Sequence, residues 1–164
     1  MTRLTLLLIA LGVAAAGLAT KAVIREWLPV GSVRTVVDGW FNLVHVRNPG
    51  AVFGLGADLG RALPWLLTGA SAIIAAVVFL TALRTPLTDR WMQVGLHLVL
   101  GGALGNIVNR VTLGPVVDFL DFYVRTANGA HHWPAFNLAD VAICIGIGTL
   151  LLASRRTATS EART

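Results

Sequence analysis

The sequence predicts a membrane α-helical fold: a four-transmembrane-helix bundle with a small β-sheet outside it. Three observations predict this. The chain has 164 residues, of which 55% are hydrophobic and 13% charged, where a soluble domain carries about 25% charged residues. Its mean hydropathy is +0.74. Four apolar runs approach the roughly 20 residues that a helix needs to cross a bilayer core. They cover about 4–20, 62–83, 91–108 and 138–153.

The length suits a single integral membrane domain. The first run has one basic residue, Arg3, before it and the small-residue stretch "AAAGLA" within it. That pattern is shared with cleaved leaders, but three further spans follow, so it reads as a retained helix. The third run carries Gln93 and His97 as polar exceptions. Gly101-x-x-x-Gly105, with Gly12 and Ala16, predicts close helix approach.

The formal charge is +5. In a soluble protein this would suggest nucleic acid; here it reflects arginines flanking spans, and no nucleic-acid partner is expected. Arg3, Arg84, Arg90, Arg155, Arg156 and Arg163 crowd short segments. Lys21, Arg25, Arg34, Arg47, Arg61, Arg110 and Arg125 are spread over long ones. The denser side is cytoplasmic by the positive-inside rule. Both termini are then inside, and the segments at about 21–61 and 109–137 face outward.

In the first outer segment, "SVRTVVDGWFNLVHVRN" sets two β-prone runs around Asp38-Gly39, a type I′ hairpin signal. Pro49 and Gly50 end the second run. A lone hairpin is marginal in water, so it needs a third strand or a surface. Trp40, Phe41, Leu43, Val44 and Phe53 suggest a sheet lying at the membrane interface.

In the second, "GNIVNRVTLGPVVDFLDFYV" ends the third span with Asn106, Asn109 and Arg110 and continues into a strand. Alternation puts Asp118 and Asp121 on opposite strand faces, which makes them poor partners for each other. "TANGAHHW" predicts a turn. The adjacent His131 and His132 are poorly arranged to chelate one metal, and no metal site is expected. The single cysteine, Cys144, lies in the fourth run and excludes an internal disulfide.

Two carboxylates carry the chemistry. Asp118 follows the third span and Asp140 opens the fourth. Taken singly, each polar residue has a local role. Asn48 is a turn residue before Pro49. Asn137 reads as a helix N-cap and Asp140 as the third helical residue, a capping-box pattern that also complements the helix dipole. Taken together, two acids at one depth near the outer surface are costly unless used or partnered. Such a pair shares a proton and can activate water against an amide. No Ser–His or Cys–His arrangement competes with it.

With "NPGAVFG", "GNIVNR", "GPVVDF" and "FNLAD" in this order, the chain resembles the lipoprotein signal peptidase (signal peptidase II) family over nearly its whole length. The resemblance implies a multi-pass aspartic endopeptidase of the bacterial cytoplasmic (inner) membrane. It would remove signal peptides from diacylglyceryl-modified prolipoproteins, cutting just N-terminal to the lipid-bearing cysteine. It would need no metal or organic cofactor and would bind globomycin-type inhibitors.

By position, the resemblance makes Asp118 and Asp140 the catalytic pair near the outer face. Asn48, Gly50, Phe53, Asn106, Arg110 and Asn137 become substrate-binding residues. The outer sheet becomes an extracytoplasmic β-sheet cradle, with a short helix after it as a lid. Two departures stand out: the family commonly has an acid where this chain has Asn109, and another where it has Gly17, four residues before Lys21. They motivate an alternative, a non-catalytic homologue that binds lipidated peptides. A transporter or channel would need charges deep within the spans, and the second and fourth runs have none through their middles.

Overall fold

The computed structural model describes residues 1–50 and 62–161, with side chains through Arg156. Its elements in chain order are α1 (Arg3–Trp27), β1 (Val33–Val37), β2 (Phe41–Asn48), α2 (Ala62–Arg84), α3 (Arg90–Leu113), β3 (Val116–Thr126), β4 (Gly129–His132) and α4 (Leu138–Glu161). All four helices are long and apolar enough to cross a membrane.

Local chemistry sets the helix ends. Thr2 accepts the Thr5 N–H at 3.1 Å and starts α1. Asp89 does the same for α3, accepting from Met92 at 3.1 Å. Gly114, at φ 81°, closes α3 by donating its N–H to Arg110 O. Helix α1 runs past Thr20 to Trp27, so Lys21 and Arg25 are helical. Hydropathy falls at the first charge, whereas the backbone hydrogen bonds continue.

Helix α3 is the least apolar of the four because it is the central one. It packs against α1, α2 and α4, and half of its apolar window is buried by protein. Its glycines carry the closest approaches. A Cβ on Gly101 would sit 2.5 Å from Ala10 O of α1, and one on Gly102 would sit 2.5 Å from Ala139 O of α4. Gly101 thus behaves as its motif predicts. Gly12 and Ala16 do not: both are exposed, and α1 meets α3 through the backbone of Ala10 and Ala14 instead. Helix rotation, which small-residue spacing does not specify, decides this.

The strands form one antiparallel sheet in the order β1-β2-β3-β4. The hairpin thus gains the further strands it needs. Its turn differs from the two-residue type I′ expectation. Val37 pairs with Phe41, so Asp38, Gly39 and Trp40 make a three-residue loop with Gly39 at φ 82°. Long-range contacts hold it: the Gly39 N–H donates to Tyr123 Oη at 2.8 Å, and Arg125 grips both oxygens of Asp38.

The stretch 129–132, expected as a turn, is strand β4. Tyr123 pairs with His132, and their rings stack at 4.9 Å. That pairing is non-local and leaves no mark in turn propensity. Val117 and Phe119 of β3 bury against Ile24 of α1, which docks the sheet on the end of the bundle. Trp40 and Trp133 remain exposed on it, whereas Val44 belongs to the core.

Candidate active site

The strand β3 begins where Asn109 Oδ1, from the last turns of α3, accepts the Val117 N–H at 3.0 Å. The next residue is Asp118, only 3% exposed. Its Oδ1 accepts from Asn137 Nδ2 at 2.7 Å, and its Oδ2 accepts from Asn48 Nδ2 at 2.8 Å. Asn48 closes its own turn by accepting the Gly50 N–H at 2.7 Å. Gly50 has φ 100°, and any Cβ there would run into Leu67 of α2. Glycine is required at this position on both counts.

Asn137 is fully buried. Its Oδ1 accepts the N–H groups of Ala139 at 2.9 Å and Asp140 at 3.3 Å. Its own N–H donates to Asp140 Oδ2 at 3.1 Å. This is the capping box the sequence predicts, with Asp in the third helical position. The cap has a second use, because Asn137 Nδ2 remains free to hold Asp118. One residue therefore touches both carboxylates.

The chain of contacts continues. Asp140 Oδ1 accepts from Asn106 Nδ2 at 2.8 Å, and Asn106 Oδ1 accepts from Lys21 Nζ at 2.6 Å. Five elements (β2, β3, α4, α3 and α1) thus share one polar network. Burial pushes the Asp118 carboxyl above the ordinary carboxylate range. The Asn137 and Asn48 hydrogen bonds oppose that rise, the charge of Asp140 adds to it, and the charge of Lys21 opposes it.

Lys21 is a site residue that the sequence does not single out: there it counts only towards membrane orientation and marks the position of Gly17. A signal existed. The buried positions of α1 are Leu6, Ala10, Gly17, Lys21 and Ile24, a helical stripe that includes the lysine.

The remaining expected residues are distributed as follows. Asn106 lies in the network. Arg110 does not bond either acid; its Nη1 donates to Ser71 Oγ of α2 at 3.1 Å. Phe53 and the expected lid helix lie outside the described residues. Asp121 has partners of its own, Asn42 at 2.8 Å and His132 at 2.9 Å, and shares none with Asp118. Position 17 faces the first turn of α4: a Cβ on Gly17 would lie 3.4 Å from Ala139 Cβ. Asn109, the other departure, performs its backbone contact with a neutral amide oxygen.

A groove of about 540 Å³ opens beside Asp140, walled by Leu120, Phe122, Phe136, Val141 and Ile145. It is almost wholly apolar except for that carboxylate.

Comparison with solved structures defines the class first. The fold is that of bacterial membrane enzymes. One solved in meso at 1.9 Å has a TM-score of 0.74 and 30% identity, covering 91% of each chain. Another, at 2.3 Å, has a TM-score of 0.72 and 28% identity, covering 95% of this chain and 90% of that one. Sequence comparison narrows the class. The family model for signal peptidase (SPase) II matches residues 9–156. A lipoprotein signal peptidase of Syntrophotalea carbinolica is 44% identical over 153 residues, 92% of this chain and 91% of the relative. One from Vibrio cholerae is 38% identical over 145 residues, 88% of this chain and 82% of the relative. The chain belongs to the signal peptidase II family of peptidases.

Proposed function

We propose that this protein is an active lipoprotein signal peptidase, an aspartic endopeptidase with Asp118 and Asp140 as its catalytic pair. The observation that carries the reading is Asn137, which bonds both carboxylates at once. Two acids tied to one rigid, buried residue are held for joint use rather than for separate structural roles.

The chemistry follows from their surroundings. Burial raises the proton affinity of Asp118, and it enters the proposed cycle as the acid. Asp140 sits in the first turn of α4, where the helix dipole complements a negative charge. Water between them loses a proton to Asp140 and attacks the scissile carbonyl carbon. Asp118 gives its proton to the carbonyl oxygen, forming a neutral tetrahedral diol. As the C–N bond breaks, Asp140 passes its proton to the leaving nitrogen. Asp118 recovers a proton from the diol hydroxyl, and the pair is reset.

The substrate is a diacylglyceryl-modified prolipoprotein in the bacterial cytoplasmic membrane. Its lipid-bearing cysteine lies along the groove beside Asp140, which sets the preceding peptide bond over the acids. Asn48, Gly50, Asn106, Arg110 and Asn137 serve as its substrate-binding residues, together with Phe53, which is assigned from sequence position alone. Arginine density puts both termini in the cytoplasm and the sheet, as a cradle, at the outer face.

The test is a gel-shift cleavage assay of purified protein on one lipidated prolipoprotein, with and without globomycin. Wild type cleaves and globomycin stops it, while Asp118→Asn and Asp140→Asn accumulate in membranes without cleaving. Normal processing by both variants would refute the aspartic mechanism. Globomycin binding by a wild-type protein that does not cleave would favour the non-catalytic alternative raised by Gly17 and Asn109.

A further inference from the structure

A second groove, of about 350 Å³, lies on the outer sheet, with Trp40, Val124 and His131 in its walls. Phe122 and Trp133 line both this groove and the one beside Asp140, so the two meet at those side chains. The shared wall is braced, since the Phe122 ring stacks on Phe136 at 5.8 Å. Both tryptophans are tied to β3 by backbone bonds. Trp133 donates its N–H to Phe122 O at 2.8 Å, and Trp40 O accepts the Tyr123 N–H at 3.0 Å.

Strand alternation sets Asp118, Leu120, Phe122 and Val124 on one face of β3. Burial falls along that row: Asp118 is 3% exposed, Phe122 45% and Val124 49%. The row therefore leads from the acid out to the surface. At about 3.4 Å per residue, Phe122 lies roughly 14 Å and Val124 roughly 20 Å along the strand from Asp118. Trp40 and Trp133 add two exposed indoles to the groove. Exposed apolar surface gathered in this way marks a binding surface. Its far end faces water. Arg125, next to Val124, and Asp38, in the turn with Trp40, form an ion pair whose side chains are 59% and 71% exposed. That setting suits a peptide leaving for the solvent better than a lipid tail.

We propose that the outer groove is a specificity subsite for the mature part of the substrate, taking a large apolar or aromatic side chain from the fourth to sixth residue after the cysteine. The inference rests on the assignment of Asp118 and Asp140 as the cutting pair. A peptidase that removes a signal peptide always holds substrate chain on the far side of the cut. With the cysteine beside the acids, an extended chain advances about 3.4 Å per residue, so its fourth to sixth residues reach Phe122 and Val124.

The test uses the full-length protein in detergent and three lipidated prolipoprotein substrates with one signal peptide. The first ends two residues after the cysteine. The second carries phenylalanine at the fourth to sixth residues after it, and the third carries serine there. Wild type should cut the phenylalanine substrate with kcat/KM about tenfold above the other two, mainly through KM, the scale of partly burying one large apolar side chain. Trp40→Ala, which keeps the backbone bonds, and Val124→Ser should each bring that substrate down towards the serine level and leave the other two unchanged. Asp118→Asn should cut none of the three yet bind them in the same order of Kd. That order tests the subsite even if wild type cuts nothing, a result that would refute the catalytic assignment alone. Equal ranking of the three substrates in both measurements would overturn the proposal. So would a uniform loss across all three in the two variants, or a loss that follows added phospholipid vesicles rather than substrate sequence.

Discussion

Asn137, the capping residue of α4, donates its Nδ2–H to Asp118 Oδ1 at 2.7 Å. The same side chain uses its oxygen to start the helix that carries Asp140. The position of one acid is thereby tied to the fold of the other. A helix cap is normally a matter of stability; here it also sets the spacing of two carboxylates.

Substitutions at Asn137 separate these duties. Asn137→Ala removes cap and bridge, so stability should fall by about 1 kcal/mol and cleavage should fall much further, in kcat more than in KM. Asp is as good a cap as Asn. Asn137→Asp should therefore retain most of the thermal stability while setting a third carboxylate against Asp118. Its cleavage should be largely lost at neutral pH and recover partly on acidification. Paired unfolding curves and pH–rate profiles check both expectations; equal stability losses would contradict the division of labour.

The raised proton affinity of Asp118 predicts how stability depends on pH. The folded state holds this proton more tightly than the unfolded chain does. Its stabilising contribution is full below the unfolded carboxylate value, about 4, and is lost as pH rises through the higher folded value. Asp118→Asn removes that dependence. Whatever constant offset the amide introduces, wild type should lose ground to Asp118→Asn as pH rises from acidic to neutral. Unfolding temperatures in detergent across a pH series measure it; a difference that is flat with pH would disprove the linkage.

Lys21 lends its charge to both acids and its Nζ–H to Asn106. Lys21→Met keeps the length of the stem and removes the cation. Proton affinity at Asp118 should rise further, since the lysine charge opposes that rise. The proton that the mechanism needs on Asp118 should then persist to higher pH, moving the alkaline limb of the kcat/KM profile upward. Asn106 would also lose its fixed orientation, and cleavage should fall about 10-fold or more, the scale of a lost hydrogen bond to a charged group. An unmoved profile would mean that Lys21 serves packing alone.

Asn109 supplies an oxygen to the Val117 N–H immediately before Asp118. Asn109→Asp preserves that acceptor and should leave folding intact. Asn109→Leu orphans a buried N–H, which costs about 1–3 kcal/mol, and should reduce cleavage by loosening the start of β3. Both variants are assayed for unfolding temperature and cleavage. If the leucine variant behaves as wild type, the contact does not hold the strand.

Much of the fold is legible along the chain because the bilayer imposes a simple rule. Length and apolarity select the four spans without reference to tertiary contacts. The capping box at Asn137 is legible for a similar reason, since its partners are at most three residues apart. The hairpin turn and β4 differ from the sequence expectation because their geometry is set across strands, by Tyr123 with Gly39 and with His132. The packed face of α1 differs as well: Ala10 and Ala14, not Gly12, meet α3, and small-residue spacing is blind to helix rotation.

The sequence by itself determined that this chain holds four membrane-length helices, β-prone segments between them, and one acid after the third span with another opening the fourth. It also determined that Asp140 sits in a capped first turn. Only the tertiary structure decided that Asn137 joins the acids, that Asn106 links Asp140 to a buried Lys21, and that Arg110 turns to Ser71. The physical reason is range. Hydropathy and capping act through solvent and through residues within one helical turn, so they are written locally. The Lys21–Asn106 bond spans 85 residues of chain, and the Asn48–Asp118 bond spans 70. Each exists only once close-packed helices and a paired sheet have brought its two ends together.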